Sequence, residues 1–412
     1  MNSASFDVVV IGAGPAGSVA AYAAAVRGLS VALVDQRRFP RDKSCGDGIG
    51  PGGARLLRRL HLEHVLDGAA PVGRLCIVGP DGTQARSDVP TIDGEPQHGY
   101  VVPRSSFDER LFRAALTAGA TDYSGYKLLT GNAPSTGTGP YRTVTVRRGG
   151  TGPGSDEIEL SCRLLIGADG AYSATRRLLH VPTHPARSTL LAMRAYADVP
   201  ADFEPRLMFE FSTDLLPGYG WIFPDGAGCV NVGVGLPVAS MRSALVDIRG
   251  RLARFVDAAR SQGLEIGELR GHRSHQLPIA SHIPRLSYPR AALVGDSAAM
   301  INPLSGEGIV YAMTAATALV ERLPDDLGDG AALDDALRGF QAWYRGTYAK
   351  HMHTNHWATR IMARPSGADW AVRAAARSPE VMASAVKLLF GLGHMPRRAL
   401  AKGLLKAAIG RR

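Results

Sequence analysis

The chain has 412 residues, 45% hydrophobic and 20% charged, and its 47 basic against 37 acidic side chains give a formal net charge of +10. Such a composition is typical of a globular enzyme, and the length suggests two or three domains. The charge indicates either a merely basic surface or attraction to an anionic membrane, a phosphorylated substrate or an acidic carrier protein; the scarcity of clustered aromatic and basic stretches argues against nucleic acid.

The first forty residues predict a strand, a glycine-rich turn, a helix and a second strand. The apolar run Val8–Ile11 predicts a buried parallel strand, and an alanine-rich helix is expected from about Ala16 to Arg27. Val31–Val34 predict the second strand, which ends at Asp35.

The turn carries Gly12, Gly14 and Gly17, the GxGxxG spacing of a dinucleotide site. Gly12 permits the sharp turn, Gly14 lets a pyrophosphate approach the backbone, and Gly17 lets helix and strand pack closely. Free N–H groups at the helix start would hold the phosphates, and Asp35 would accept hydrogen bonds from a ribose while disfavouring the 2′-phosphate of NADP. The pattern predicts NAD or FAD; a turn without a ligand is the alternative.

Residues 40–53 are dense in glycine and proline and predict a loop, with a helix from about residue 54. Within the loop, Cys45 is followed by Gly46, so a flat ligand could approach the thiol. Basic residues two and four positions earlier would lower the pKa of that thiol. The alternative is a small residue packed under the loop.

Residues 74–89 alternate about a Gly-Pro-Asp-Gly turn and predict a β-hairpin. A strand near residues 99–102 leads into a helix with Ser105 or Ser106 as the expected N-cap. Arg104 stands at this junction, where it would reach a cofactor phosphate or ribityl chain, or else form a surface salt bridge.

Residues 134–154 predict a mobile hairpin loop, because glycine, proline, serine and threonine dominate there. The strand 163–166 then ends in Asp169 and Gly170. A carboxylate on such a turn can bind a ribose or ribityl hydroxyl, although this dipeptide is also an ordinary turn.

Residues 189–235 predict several antiparallel strands, followed by a helix over 241–262. Tyr219, Trp221 and Phe223 are spaced by two, so their rings face one side of a strand. They form either a hydrophobic core strand or an aromatic wall over an apolar or flat substrate.

A last strand, 291–294, ends in Gly295 and Asp296, and residues 302–308 open the next helix. This second strand–turn–helix unit offers another carboxylate and another helix N-terminus to a ligand.

Helices are expected to fill the rest of the chain. Basic residues recur among apolar ones over its last 26 positions: Lys387, Arg397, Arg398, Lys402, Lys406, Arg411 and Arg412. This segment is either an ordinary solvent-facing helix pair or a basic amphipathic surface for a membrane or an acidic partner.

The four cysteines form no CxxC pair, so no metal site is predicted. The first strand begins too early to leave room for a signal peptide, and no apolar run is long enough to span a membrane. We therefore expect a cytoplasmic protein with free thiols, which could still contact a membrane peripherally.

Three motifs recur in a set order: the glycine turn with Asp35, then Asp169-Gly170, then Gly295-Asp296. This order resembles the FAD-dependent aromatic hydroxylase superfamily, with its para-hydroxybenzoate-hydroxylase-like fold, over about residues 6–325. The resemblance implies FAD rather than NAD. It also implies that the first motif holds the ADP part, the second touches the FAD chain, and the third holds the ribityl and pyrophosphate groups.

Within that superfamily, residues 39–48, 218–224 and 295–309 look like signatures of the geranylgeranyl reductase family, although Ser44 replaces the family's usual proline. Members of this family reduce C=C bonds of prenyl chains. The resemblance places the family's cysteine at Cys45 and its aromatic wall at Tyr219, Trp221 and Phe223, which are therefore the expected catalytic residues.

The resemblance implies an α/β fold with a Rossmann-like FAD-binding domain, an inserted antiparallel-sheet substrate domain and a C-terminal helical region. The expected segments are 1–73, 98–185 and 286–330 for the first, 74–97 and 186–285 for the second, and 331–412 for the third. The expected cofactor-binding residues are Gly12, Gly14, Pro15, Ala16, Gly17, Asp35, Gln36, Arg37, Cys45, Gly46, Arg104, Asp169, Gly170, Gly295, Asp296, Pro303, Gly306, Gly308 and Ile309.

Three functions follow. The first is FAD-dependent reduction of a prenyl or other apolar alkene, with NAD(P)H, ferredoxin or a quinol as donor, because no second GxGxxG unit is visible. The second is a monooxygenase, oxidase or dehydrogenase acting on a specialised metabolite, such as a polycyclic one; a halogenase is disfavoured because its Trp-x-Trp-x-Ile-Pro motif is absent. The third is a flavoprotein that acts on a carrier-bound or membrane-bound partner.

Overall fold

A computed structural model describes residues 2–89, 98–132, 142–149, 156–241 and 247–391. Within these residues the strands are β1 (Asn2–Ile11), β2 (Val31–Asp35), β3 (Gly48–Ile49), β4 (Pro71–Val72), β5 (Arg74–Val78), β6 (Gln84–Asp88), β7 (Gly99–Val101), β8 (Thr121–Ser124), β9 (Tyr126–Gly131), β10 (Arg142–Arg148), β11 (Glu157–Gly167), β12 (Thr189–Asp198), β13 (Leu207–Glu210), β14 (Tyr219–Pro224), β15 (Cys229–Pro237), β16 (Arg270–Pro278), β17 (Ser287–Tyr288) and β18 (Ala291–Leu293). The helices are α1 (Pro15–Val26), α2 (Pro51–Arg59), α3 (Arg104–Thr117), α4 (Ala174–Leu178), α5 (Val238–Met241), α6 (Ile248–Ser261), α7 (Ile309–Glu321), α8 (Gly330–Met362), α9 (Pro365–Arg377) and α10 (Pro379–Leu389).

The first sheet contains five parallel strands in the order β18-β11-β1-β2-β8. Its centre is fully buried, as the continuous apolar run of β1 predicts. Because parallel strands point the same way, the carboxyl ends of β1, β2, β11 and β18 meet at one edge of the sheet. Gly12, Asp35, Asp169 and Asp296, which follow those ends, therefore share that edge.

The second sheet has seven strands in the order β16-β12-β15-β14-β13-β5-β6. Its pairs are antiparallel except for β13 with β5, and the predicted hairpin over residues 74–89 is confirmed as β5 and β6. One face packs against α6 through Leu252 and Phe255. The other face, which carries Phe209, packs against α9 and α10. The predicted fold class, a parallel sheet with an antiparallel sheet and C-terminal helices, is confirmed.

Two helix starts differ from the sequence prediction. α2 begins at Pro51, three residues earlier than expected, because proline is suited to the first turn of a helix. α3 begins at Arg104 with Pro103 as its N-cap, so neither Ser105 nor Ser106 caps it.

The predicted loop over 134–154 is wrong for residues 142–148, which form β10 between β9 and β11. Val144 and Val146 alternate onto a buried face there, and this local period outweighs the small polar residues around them. The remainder of that predicted loop lies outside the described residues except for 149. The helix predicted over 241–262 is α6, which starts after Asp247, whose side chain accepts a hydrogen bond from the Arg249 N–H.

The C-terminal helices α8, α9 and α10 follow α7. The buried residues of α8 pack in the core of the first sheet, whereas α9, α10 and the end of α8 pack against the second sheet. Most of the basic segment singled out above, residues 392–412, lies outside the described residues. Among the helices that the structure describes, none combines the length and apolarity needed to cross a bilayer.

Candidate active site

Two clefts meet above the carboxyl edge of the parallel sheet. The outer cleft lies over the ends of β1 and β2, beside Asp35. The main cavity extends from it between the Cys45 loop, the aromatic residues of β14 and the turn before α7. The two share Gly14, Lys43 and Gly170, so a single long ligand could lie in both.

Most of the predicted site residues line one of these clefts. Those in the outer cleft are Gly12, Gly14, Asp35, Gln36, Arg37, Asp169 and Gly170. Those in the main cavity are Gly14, Pro15, Ala16, Cys45, Gly46, Arg104, Gly170, Tyr219, Trp221, Phe223, Gly295, Asp296, Gly306, Gly308 and Ile309. Gly17 and Pro303 are buried and line neither cleft.

The glycine turn has a different constraint at each position. A Cβ on Gly17 would overlap the carbonyl oxygen of Gly12, and a Cβ on Gly12 would overlap the carbonyl of Ala168. At Gly14 the nearest atom to such a Cβ is the Arg41 Nη2, at 3.6 Å. The backbone of Gly14 therefore faces open space beside a guanidinium, which fits an anionic pyrophosphate.

Asp35 closes the outer end of this site. One carboxylate oxygen accepts a hydrogen bond from the Ala13 N–H and the other from the Arg37 N–H, both at 2.8 Å. Arg41 lies 3.7 Å from Asp35 and 2.9 Å from Asp108. Asp35 therefore ties β2 to the glycine turn, and its contact with a ribose stays a prediction.

Asp169 directs its hydrogen bonds into the protein. It accepts from the Ser173 hydroxyl at 2.5 Å, and from the N–H and hydroxyl of Thr175 at 2.9 and 3.1 Å. Burial raises the pKa of Asp169, although these donors oppose the rise. In this structure Asp169 orders the turn before α4, and its predicted contact with a ribose or ribityl hydroxyl stays untested.

Asp296 pairs across the cavity with Lys43 at 3.0 Å. Burial alone would raise the pKa of Asp296, but Lys43 and His275 outweigh it and leave that pKa below its ordinary value. Burial and Lys43 together lower the pKa of His275 to about 4. The carboxylate is therefore ionised and the imidazole neutral at pH 7.

Cys45 has a different electrostatic setting from the one predicted. Burial raises the pKa of its thiol, and the opposing effect of Arg104 is smaller. Arg41 and Lys43 do not lower this pKa as expected, because each pairs with a carboxylate. Arg104 forms no surface salt bridge, because it is buried and bonded to Asp108 at 2.6 and 2.8 Å.

A buried polar network holds the Cys45 loop against the second sheet. The Asn231 amide donates to the Cys45 carbonyl at 2.8 Å and to the Asp47 carboxylate at 2.7 Å. Asp47 also accepts from the Tyr196 hydroxyl at 2.6 Å, and Trp221 Nε1 donates to the Asn231 oxygen at 2.9 Å. Asp47 has no exposed surface, and burial raises its pKa to about 6.

Tyr219, Trp221 and Phe223 lie on one face of β14 and form one wall of the main cavity. Successive ring centroids are 6.1 and 6.4 Å apart, and Phe209 of β13 packs beside them. The Tyr219 hydroxyl donates to the carbonyl of Ser305, which fixes the wall to the turn before α7. This wall offers an apolar, rigid surface to a ligand.

Behind this wall lies a second cavity, here called the apolar chamber. Its residues are Ile77, Phe211, Leu304, Thr354, Trp357, Ala358, Ile361, Met362, Trp370, Ala371, Val372, Ala374, Ala375, Val381, Ala385, Leu388 and Leu389. All of them except Thr354 are apolar. Leu389 also lines the main cavity, and the ring of Phe211 in the chamber lies 5.7 Å from that of Tyr219.

The sequence does not predict three charged residues of the site, which are Lys43, Asp47 and Glu307. Lys43 and Glu307 line the main cavity, and Asp47 lies beneath it. Asp47 and Glu307 each stand between two glycines. A charged residue enclosed by glycines is the signal that could have identified both.

Comparison with known proteins gives the following likenesses. Residues 5–211 match the family model described as an FAD binding domain. Over 392 residues the chain is 32% identical to the menaquinone reductase of Mycolicibacterium smegmatis. This match covers 94% of this chain and 91% of that protein. It is 28% identical over 371 residues to the digeranylgeranylglycerophospholipid reductase of Methanosphaerula palustris, covering 88% and 87% of the two chains.

Among solved structures, the fold resembles a geranylgeranyl bacteriochlorophyll reductase-like protein from Thermoplasma acidophilum. The TM-score is 0.79, with 94% of this chain and 96% of that chain covered. At 22% identity this likeness shows the fold alone.

Proposed function

The chain belongs to the geranylgeranyl reductase family of FAD-dependent oxidoreductases, and from this premise we propose that it reduces C=C bonds of a prenyl chain held in the main cavity and the apolar chamber. Its cofactor is FAD, and its substrate is an apolar small molecule. When bound and reduced, FAD supplies the hydride for such a reduction.

The apolar chamber carries this proposal. A ring substrate needs only the main cavity, whereas a prenyl chain needs further apolar space continuous with it. Leu389 lines both cavities, and Leu304 of the chamber precedes Ser305 of the main cavity. Each buried CH₂ contributes about 0.8 kcal/mol, so the chamber would bind a chain through burial without polar recognition.

The predicted site residues take roles consistent with their positions. We propose that Gly12, Gly14 and Asp35 hold the ADP part of FAD. The other predicted cofactor residues that line the main cavity would hold its remaining part. The wall of Tyr219 to Phe223 would orient the alkene and exclude water, and the half-buried Cys45 would contact the flavin.

Electrons come, in this proposal, from a separate nicotinamide or ferredoxin donor that meets the protein transiently. The sequence has a single GxGxxG unit between strand and helix, which the FAD site uses. Anaerobic mixing with each donor, followed by the flavin absorbance, identifies the one that reduces the protein at a catalytically useful rate.

Access for a membrane-borne substrate is proposed at the chamber's rim. Trp357 lines the chamber and is 47% exposed, and an exposed tryptophan suits a membrane–water interface. The basic C-terminal segment could add attraction to anionic lipid. Flotation with anionic vesicles tests the C-terminal segment: changing Arg397, Arg398, Lys402 and Lys406 to Glu should abolish binding, and unchanged binding would remove this segment from the proposal.

The central experiment uses the FAD-loaded protein, reduced with dithionite without oxygen and mixed with menaquinone or digeranylgeranylglycerophospholipid. We expect reoxidation of the flavin and a product whose prenyl chain is heavier by two hydrogens per reduced bond, a gain that persists after any quinol is oxidised back to the quinone. If neither substrate reoxidises the protein, the prenyl-reductase proposal is wrong. Substrate-dependent oxygen consumption in a separate aerobic assay would then favour a monooxygenase or oxidase.

Ala385→Trp tests the apolar chamber separately from the cofactor site. Ala385 is a half-buried residue that lines the chamber, and it is far along the chain from the cofactor motifs. Excluding one five-carbon isoprene unit weakens binding by up to about 4 kcal/mol. The KM for long prenyl substrates should therefore rise steeply, whereas FAD content and the reactivity with a short alkene should stay unchanged.

A further inference from the structure

We propose that Glu307 is the acid that donates the proton to the alkene, a proposal that rests on the function inferred above. Its carboxyl group lines the main cavity, and its Oε2 is buried without a hydrogen-bond partner. An unpartnered buried oxygen is costly unless a ligand uses it, so its position calls for an explanation.

Local structure holds Glu307 in this place. It stands in the turn between Gly306 and Gly308, just before α7. A Cβ at Gly50 would lie 2.5 Å from its Oε1 and 3.1 Å from the Phe390 ring, so glycine is what allows the carboxyl to approach the Cys45 loop. The Oε1 oxygen therefore lies against the Gly50 backbone, and Oε2 has no hydrogen-bond partner within the protein.

The turn also contacts the aromatic wall. The Tyr219 hydroxyl donates to the Ser305 carbonyl, and a Cβ on Gly306 would lie 2.5 Å from that hydroxyl oxygen. Glu307 thus lies where the aromatic wall, the Cys45 loop and Phe390 meet in the main cavity. We propose that the alkene lies there.

Other titratable residues of the main cavity are less suited to this step. Lys43 and Asp296 neutralise each other in an ion pair. Burial raises the pKa of both the Cys45 thiol and the Tyr219 phenol, which makes each a weaker acid. Burial raises the pKa of Glu307 to about 8, so its carboxyl keeps its proton at pH 7 and still releases it readily.

The groups that face Glu307 from neighbouring elements are neutral acids. Burial raises the pKa values of Tyr311 in α7 and Tyr348 in α8, and a negative charge on Glu307 would raise them further. Tyr311 in turn lies 2.7 Å from His351 Nε2. A positive imidazole at His351 would favour the Glu307 carboxylate, so the titration of both groups belongs in the test.

In the proposed step the π bond of the alkene breaks and two C–H bonds form. One carbon receives the hydride that reduced FAD supplies, and the other receives the proton from Glu307 Oε2. Glu307 is left as a carboxylate and recovers a proton from water. Bound reduced FAD would supply the two electrons of the hydride, and the nicotinamide or ferredoxin donor would replace them.

The first test does not depend on turnover. In FAD-loaded protein labelled with carbon-13 at the glutamate δ-carbon, the NMR signal lost in Glu307→Gln belongs to Glu307. We expect it at the protonated-carboxyl position at pH 7, with a midpoint near 8. Glu210→Gln is the matched control, because Glu210 is a buried glutamate of β13 outside the cavity. A Glu307 signal at the carboxylate position at pH 7 overturns the proposal, and unchanged titration in His351→Gln excludes the imidazole as its cause.

The second test follows reoxidation of the reduced protein by substrate. We expect Glu307→Gln to slow this step by roughly 10²–10⁴-fold with unchanged FAD content, Glu307→Asp to restore part of the rate, and Glu210→Gln to leave it unaltered. The wild-type rate should fall above about pH 8. If no prenyl substrate reoxidises the wild type, the proposed function fails; if the wild type reacts and Glu307→Gln reacts as fast, only the role of Glu307 fails.

Discussion

Replacing Asp47 with asparagine isolates the free energy that burying its charge costs. Asp47 is fully buried, and its pKa rises from 3.8 to about 6, chiefly through burial and despite hydrogen bonds from Tyr196 and Asn231. One pKa unit corresponds to about 1.36 kcal/mol, so the ionised carboxylate destabilises the folded state by about 3 kcal/mol.

The sign follows from proton binding. Below about pH 4 the carboxyl is neutral in both the folded and the unfolded chain, so the cost is absent. Between about pH 4 and 6 the unfolded chain loses the proton first, and the folded state loses stability as the pH rises. Asparagine cannot ionise, so the stability of Asp47→Asn relative to wild type should increase by about 3 kcal/mol between pH 4 and 7.

Denaturant unfolding of both proteins, at one saturating FAD concentration and a series of pH values, measures this difference. Tyr196→Phe should steepen the pH dependence, because it removes a donor that favours the carboxylate. Asp202→Asn, at an exposed position, controls for the loss of one negative charge. A difference between Asp47→Asn and wild type that stays constant across this pH range would refute the reasoning.

Three further substitutions test the cofactor side of the site. Gly17→Ala places a Cβ on a carbonyl oxygen of its own turn, so we expect a loss of folded protein, by about 4 kcal/mol or more, seen in circular dichroism. Gly14→Ala meets only ordinary contact with the protein, so the chain should fold while its affinity for FAD falls about tenfold, measured by flavin fluorescence; equal effects at both glycines would contradict this distinction. Lys43→Gln leaves Asp296 buried without its partner, at a cost of roughly 3 kcal/mol. The pKa of Asp296 should then rise, so relative to wild type the variant should lose stability as the pH increases from about 4, the ordinary pKa of an aspartate, and a stability difference that does not change with pH would disprove the role of this pair.

Much of the first sheet could be predicted because its signals are local. Val8–Ile11 form an apolar run too short for a helix, and the glycines that follow have a spacing that few other structures need. The aromatic residues of β14 likewise face one side by the two-residue period of a strand. The strand at residues 142–148 is not predicted, because its short alternation of buried and exposed side chains lies within a stretch of turn-forming residues.

The sequence by itself determined the cofactor class, because dinucleotide binding depends on neighbours in the chain: a glycine turn, the helix it opens and the acid ending the next strand. Only the tertiary structure decided which groups carry charge. Arg41 and Lys43 stand near Cys45 in sequence, yet each pairs with a carboxylate far away in the chain. The pKa of the Cys45 thiol is therefore set mainly by burial, which raises it. The same holds for Glu307, whose pKa is raised by burial, since desolvation arises only when remote segments pack together.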